Sequence, residues 1–193
     1  GQSGPRKKLL HSPYPFDLRL LSSPTPGVKK EDIVTLFCPT GPKKNILNQL
    51  MAVKLAQRKM DFTLHTNIGG YDSILKQIKC EKHTWLPRDQ YEALMSSARV
   101  NLACSWCETF NYNVAEALTL GTLSVISHTI PLPGLVVEDP NDSLKIAESL
   151  KEAWDMNEWE VDVFRSDLGS LSYLRNKLTR QDLDDTIKVL WPE

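Results

Sequence analysis

The stretch whose reading decides the fold runs from Val100 to Ile126: VNLACSWCETFNYNVAEALTLGTLSVI. It opens with an apolar run, Val100 to Ala103, and closes with another, Leu123 to Ile126. Between them lie a polar loop and a segment, 112–119, whose apolar spacing predicts a helix. Gly121 stands where a left-handed residue would stop that helix. A strand, a loop, a helix and a second strand make the parallel unit of an α/β sheet. The same stretch carries two carboxylates, Glu108 and Glu116, at the strand end and in the first turns of the helix.

Outward from this unit the pattern repeats. Ile33 to Cys38 reads as a buried strand, Pro39 to Lys44 as a loop and Ile46 to Ala56 as a helix. Phe62 to Thr66 reads as a second strand and Tyr71 to Ile78 as a helix. His83 to Leu86 reads as a short third strand, ended by Pro87, with Asp89 to Ser97 helical after it. Leu135 to Val137 suits an edge strand. Asn141 or Asp142 can cap a helix reaching about Trp154, and a last helix falls near Arg180 to Leu190. The expected class is α/β: a Rossmann-like, mostly parallel sheet with helices on both faces. Right-handed crossovers then gather the strand-end loops on one edge. Residues 1–31 hold five prolines and read as an irregular N-terminal arm or interdomain linker, with 32–193 as the regular domain and its C-terminal helices.

Bulk properties narrow the class. A chain of 193 residues with 41% hydrophobic content has enough apolar surface for one globular core. A net charge of −1 gives no general attraction for nucleic acid. No apolar stretch approaches the roughly 20 residues needed to cross a membrane. The opening Gly1-Gln-Ser-Gly-Pro-Arg-Lys-Lys8 lacks the apolar run of a signal peptide. Cys38, Cys80, Cys104 and Cys107 do not make a dense secreted disulfide framework at this length, so a cytoplasmic location is expected.

Candidate binding groups cluster at the expected loop edge. Lys43 and Lys44 follow the first strand, just before a helix whose free N–H groups attract anions. The single Gly41 in that loop makes neither a dinucleotide fingerprint nor a Walker loop. Glu116 can accept hydrogen bonds from a vicinal diol such as ribose. Glu108 can meet the sugar end of the same ligand, and the backbone at Phe110, Asn111 and Tyr112 offers donors between the two acids. Trp85 and Leu86 stand where a nucleobase can rest. Cys80, His83, Cys104 and Cys107 have metal-like spacing, but His83 at a strand start and Cys104 at a strand end predict opposite edges, so no metal is expected. A redox role for Cys104 and Cys107 lacks the usual helix-start position. His65 reads as structural, His128 as a residue that can line the cleft, and Trp154, Trp159 and Trp191 as anchors of peripheral helices.

Taken together, these residues resemble the C-terminal, nucleotide-sugar-binding lobe of a GT-B glycosyltransferase of the large retaining group called family 4. The resemblance rests on Glu108, seven intervening residues and Glu116, followed by a helix, Gly121 and a strand. It extends to the strand, loop and lysine at Ile33 to Lys44 and to Trp85-Leu-Pro87, over roughly residues 31–155. It implies that Lys44, with Lys43 beside it, contacts a donor diphosphate and that Glu116 holds ribose. Glu108 and the backbone from Phe110 to Tyr112 would hold the transferred sugar and phosphate. Lys44 and Glu108 would then be the catalytic groups, with a nucleotide diphosphate sugar as substrate and no metal or other cofactor. Pro39 stands where the family carries an arginine, and Thr109 and Asn111 stand at its glycines.

The resemblance covers only the donor half of such an enzyme. The expected partner is therefore an N-terminal lobe in the same or another chain, with little or no activity from this fragment alone. The acceptor is open, nucleic acid included. The alternative is a noncatalytic interaction or structural module that retains the fold. A nucleotide-sugar epimerase is a more distant reading, since its histidine and acids cannot be assigned.

Overall fold

A computed structural model of the chain describes residues 28–108, 111–156 and 160–164. The strands are β1 (Glu31–Leu36), β2 (Thr63–Thr66), β3 (Cys80–Lys82), β4 (Ala98–Ala103), β5 (Leu123–Ser127) and β6 (Leu135–Val137). The helices are α1 (Ile46–Ala56), α2 (Asp72–Leu75), α3 (Arg88–Ser97), α4 (Tyr112–Thr119) and α5 (Ser143–Asp155). Most of the N-terminal arm, the last helix near Arg180 to Leu190, Thr109, Phe110, Trp159 and Trp191 lie outside the described residues.

All six strands are parallel, in the order β3-β2-β1-β4-β5-β6. The chain winds outward from β1 to β3, returns to the other side of β1 and winds outward again. The sheet is therefore a doubly wound Rossmann-like one, with its switch point between β1 and β4. The helices after those two strands, α1 and α4, run to opposite faces and leave a crevice at the strands' C-terminal ends.

Central strands are buried on both faces, so they read as near-continuous apolar runs; β5 is buried at every position. Val34, Leu36, Val100, Leu102 and Val125 face α1 and α5, meeting Leu50, Val53, Ile146 and Leu150. On the opposite face, Ala103 and Ile126 pack against Val114 and Leu118 of α4. Beside them runs a buried polar line. Thr35 Oγ1 donates to Asn101 Oδ1 at 3.0 Å, and Asn101 Nδ2 donates to Ser124 Oγ at 2.9 Å. The strand registers place these three residues side by side, so each polar group is satisfied by its neighbour.

Local signals fix the helix that follows β4. The Asn111 side chain accepts the Val114 N–H at 3.2 Å as an N-cap. At the other end Gly121 has φ 82°. The N–H groups of Gly121 and Thr122 bond back to Leu118 and Ala117 at 3.1 and 2.8 Å, which completes a Schellman stop. For α5 the cap is Asp142, which accepts from Leu144 and Lys145.

Two expectations need correction. The third strand is Cys80–Lys82, not His83 to Leu86. It is a polar edge strand with little apolar signal, while the apolar Trp85 and Leu86 belong to the loop after it. The helix expected over Tyr71 to Ile78 shrinks to the single turn Asp72–Leu75. No helix among the described residues is long and apolar enough to cross a membrane.

Candidate functional site

The loops after β1 and β4 are fastened to each other. After β1 the chain runs through Pro39 to a 3₁₀ turn at Pro42–Lys44 and then a left-handed Asn45 (φ 53°) that opens α1. Asn45 Nδ2 donates to the Cys104 carbonyl at 3.1 Å, and the Cys104 N–H donates to Gln49 Oε1 at 2.8 Å. The Trp106 N–H donates to the Lys43 carbonyl at 2.9 Å. These bonds bring Lys44 onto Glu108, and the two form an ion pair. Glu108 Oε1 also accepts from Ser105 Oγ at 2.9 Å, and its side chain is only 10% exposed.

Glu116 sits on the other flank of the crevice. Arg88 Nη1 donates to its Oε1 at 2.7 Å, and the Tyr91 hydroxyl donates to its Oε2 at 3.0 Å. Arg88 also bonds Glu92. Burial works against the Arg88 charge, but the hydrogen bonds and charges of Glu116 and Glu92 outweigh it and raise its pKa. Burial, reinforced by the Glu116 charge, pushes the Tyr91 phenol well above its ordinary value, so it stays a neutral donor. Asn113 Nδ2 donates to the Tyr91 oxygen at 3.0 Å, while Asn113 Oδ1 is buried without a partner.

Next to Glu116 opens a cleft of about 360 Å³, walled by Phe37, Cys38, Trp85, Leu86, Arg88 and Asn113. Trp85 is 84% exposed, so its indole face is free for a flat ring. The Cys38 thiol joins the two halves of the site. It lines the cleft, and the charges of Lys44 and Glu108 both act on it. Burial dominates and pushes its pKa up to about 11.

The sheet edge thus gathers Trp85, Leu86 and Glu116 around one cleft and Lys44 with Glu108 beside it. Lys43 is exposed, Asn111 acts as the α4 cap, and Tyr112 is 45% exposed; none of the three lines the cleft. Phe110 is outside the described residues. Sequence reasoning missed Arg88, Tyr91 and Asn113. The signal was a charged and aromatic first turn, Arg88 to Tyr91, directly after Trp85-Leu-Pro87.

The argument against a four-ligand cysteine and histidine site rested on His83 opening a strand. His83 instead follows β3, which puts it on the same edge as Cys104. Two of that site's three thiols are engaged elsewhere: Cys104 is buried and contacts the Val125 carbonyl, and Cys80 contacts the Leu75 carbonyl, while Cys107 is exposed. His65 is buried in β2 and meets His83; His128 is exposed in a turn.

No protein-family model matches the chain, and no curated protein sequence matches it. Solved structures do. An alpha,alpha-trehalose-phosphate synthase (UDP-forming) from Burkholderia vietnamiensis superposes with a TM-score of 0.67 at 12% identity, over 85% of this chain and 46% of that one. The Burkholderia xenovorans enzyme of the same name, in complex with glucose-6-phosphate, gives 0.66 at 16% identity, over 83% and 44%. An E. coli structure described as trehalose-6-phosphate bound with UDP-2-fluoro glucose gives 0.61 at 13%, over 77% and 41%. The chain spans less than half the length of each. Its fold is that of one Rossmann-like lobe of a GT-B glycosyltransferase.

Proposed function

We propose that this chain is the donor-binding half of a retaining glycosyltransferase, taking a nucleotide diphosphate sugar. The observation that carries the reading is the placement of Glu116, Trp85 and the Lys44–Glu108 pair around the β1/β4 switch point, where open α/β sheets bind ligands. In this reading the base lies on Trp85 and Leu86, and the ribose hydroxyls donate to Glu116. Asn113 Oδ1, an unpaired buried acceptor, takes a further donor from the nucleoside. Lys44 turns from Glu108 to the diphosphate, with Lys43 adding positive charge at the rim. Glu108 and the backbone flanking Phe110, through Asn111 and Tyr112, then hold the sugar.

Chemically, the bond from the anomeric carbon to the diphosphate breaks with its electron pair going to the diphosphate. A bond to an acceptor hydroxyl forms on the same face, and the acceptor proton passes to the departing diphosphate. Lys44 and loop N–H groups aimed at the developing charge lower that barrier without a metal. Acceptor contacts belong to a second lobe. The fold-matched enzymes are about twice this chain's length, which supports a two-lobe arrangement.

A second reading is a noncatalytic module that keeps the fold. It is favoured by the internal neutralisation of Lys44 by Glu108 and of Glu116 by Arg88. Calorimetric titration with millimolar UDP, GDP and their sugars separates the two. Donor binding predicts saturable heat with a dissociation constant in the micromolar-to-millimolar range, roughly −4 to −8 kcal/mol. No heat and no protection of the cleft would favour the module.

A further inference from the structure

Three potential metal ligands meet at the sheet edge beside the cleft. His65 of β2 lies in register with Glu81 of β3, and His83 follows Glu81 by two residues. Strand alternation therefore directs all three toward one face of the sheet. His65 Nδ1 is 3.0 Å from His83 Nε2. Glu81 reaches both rings, with Oε1 3.8 Å from His83 Nε2 and Oε2 3.9 Å from His65 Nε2. One ligand atom from each residue lies within 4.8 Å of the others.

Two imidazole nitrogens this close share a single proton, one ring donating and the other accepting. The ring planes differ by only 24°, with centroids 5.2 Å apart, so the nitrogens approach almost head-on. The backbone holds the pair in place, since His83 N–H donates to the Thr66 carbonyl at 2.8 Å. Converging nitrogens beside a carboxylate have a second use, as ligands.

We propose that His65, Glu81 and His83 form a binding site for a divalent transition-metal ion of the zinc class. Two imidazole nitrogens and one carboxylate oxygen are a donor set that zinc accepts, whereas magnesium and calcium favour oxygen ligands alone. Zinc–nitrogen bonds of about 2.0–2.1 Å in tetrahedral geometry require a small opening of the present N···N contact and a tilt of both rings off the line between them, so that their lone pairs meet at the ion. The shared proton must leave the gap, so one ring changes tautomer. The ion would pin the three-residue edge strand β3 to β2, steadying the Trp85–Leu86 wall of the cleft. This inference is independent of what the cleft binds.

The test uses the full chain, stripped with a chelator, titrated with Zn²⁺ by calorimetry and with Co²⁺ by visible absorption. The site predicts Co²⁺ bands of nitrogen and oxygen ligation without a sulfur charge-transfer band. It also predicts Zn²⁺ affinity weakened more than ~100-fold in His83→Gln and in Glu81→Gln, beyond the roughly 10–100-fold lost on removing an outer-shell partner. Glu81 is exposed, so its variant should fold, and circular dichroism checks both. Unchanged affinity in both folded variants, a dominant sulfur band, or no binding overturns the proposal.

Discussion

Lys44 and Glu108 stand 64 positions apart in the chain and close an ion pair over the gap between β1 and β4. Neither side chain is more than 22% exposed, so breaking the pair leaves a charge poorly solvated. Lys44→Ala should cost about 1–3 kcal/mol, between the values for surface and buried pairs, read by urea denaturation. The two partners should affect binding in opposite directions. Lys44→Ala should weaken binding of a sugar-free nucleoside diphosphate about 10-fold or more, the loss of a charged hydrogen bond. Glu108→Gln frees Lys44 and should bind it at least as tightly as the native chain. Equal losses in both variants would contradict the competition.

Arg88 competes for Glu116 in the same way, but from the surface. Its side chain is 51% exposed, so Arg88→Ala should change stability by less than about 1 kcal/mol. It uncovers Oε1 of Glu116, and nucleotide affinity should rise several-fold by calorimetry. A marked fall would mean that the guanidinium contacts the ligand itself.

Cys38 provides a pH test of the cleft. Burial raises its pKa to about 11, which favours the protonated thiol in the folded chain. Only the thiolate alkylates, so labelling at pH 7–8 should be slower than for an unfolded cysteine and should climb as pH nears 11. Bound nucleotide should slow it further. Fast, pH-independent labelling by mass spectrometry would contradict this environment.

Asn101 tests the polar line under α3. Asn101→Ala removes a partner of both Thr35 and Ser124, leaving Thr35 only the weak Met95 sulfur acceptor and Ser124 without its bond. The expected loss is about 2–4 kcal/mol in denaturant unfolding, from unsatisfied buried groups. A change below about 0.5 kcal/mol would show that water or neighbours replace the bonds.

The central fold was legible because its signals are redundant. The apolar runs of β4 and β5, the helical spacing over 112–119 and Gly121 all specify the same strand–helix–strand unit. The edge was less legible: β3 is short, polar and exposed, so nothing in Cys80–Lys82 competes with the louder Trp85-Leu86 pair. Glu108, Glu116 and Lys44 stood out by position. Their partners did not, because Arg88 and Tyr91 reach Glu116 only once α3 and α4 pack side by side. Sequence spacing also could not show that Lys44 and Glu108 neutralise each other.

The contact between Glu116 and ribose is the most direct test of the account. Affinities of the nucleoside diphosphate that binds, and of its 2′-deoxy form, are measured by calorimetry for the native chain and Glu116→Ala. The account predicts that the native chain prefers the ribose form by roughly 10-fold, the worth of a hydrogen bond to a carboxylate, and that Glu116→Ala loses the preference. An undiminished preference in Glu116→Ala, or none in the native chain, would contradict it.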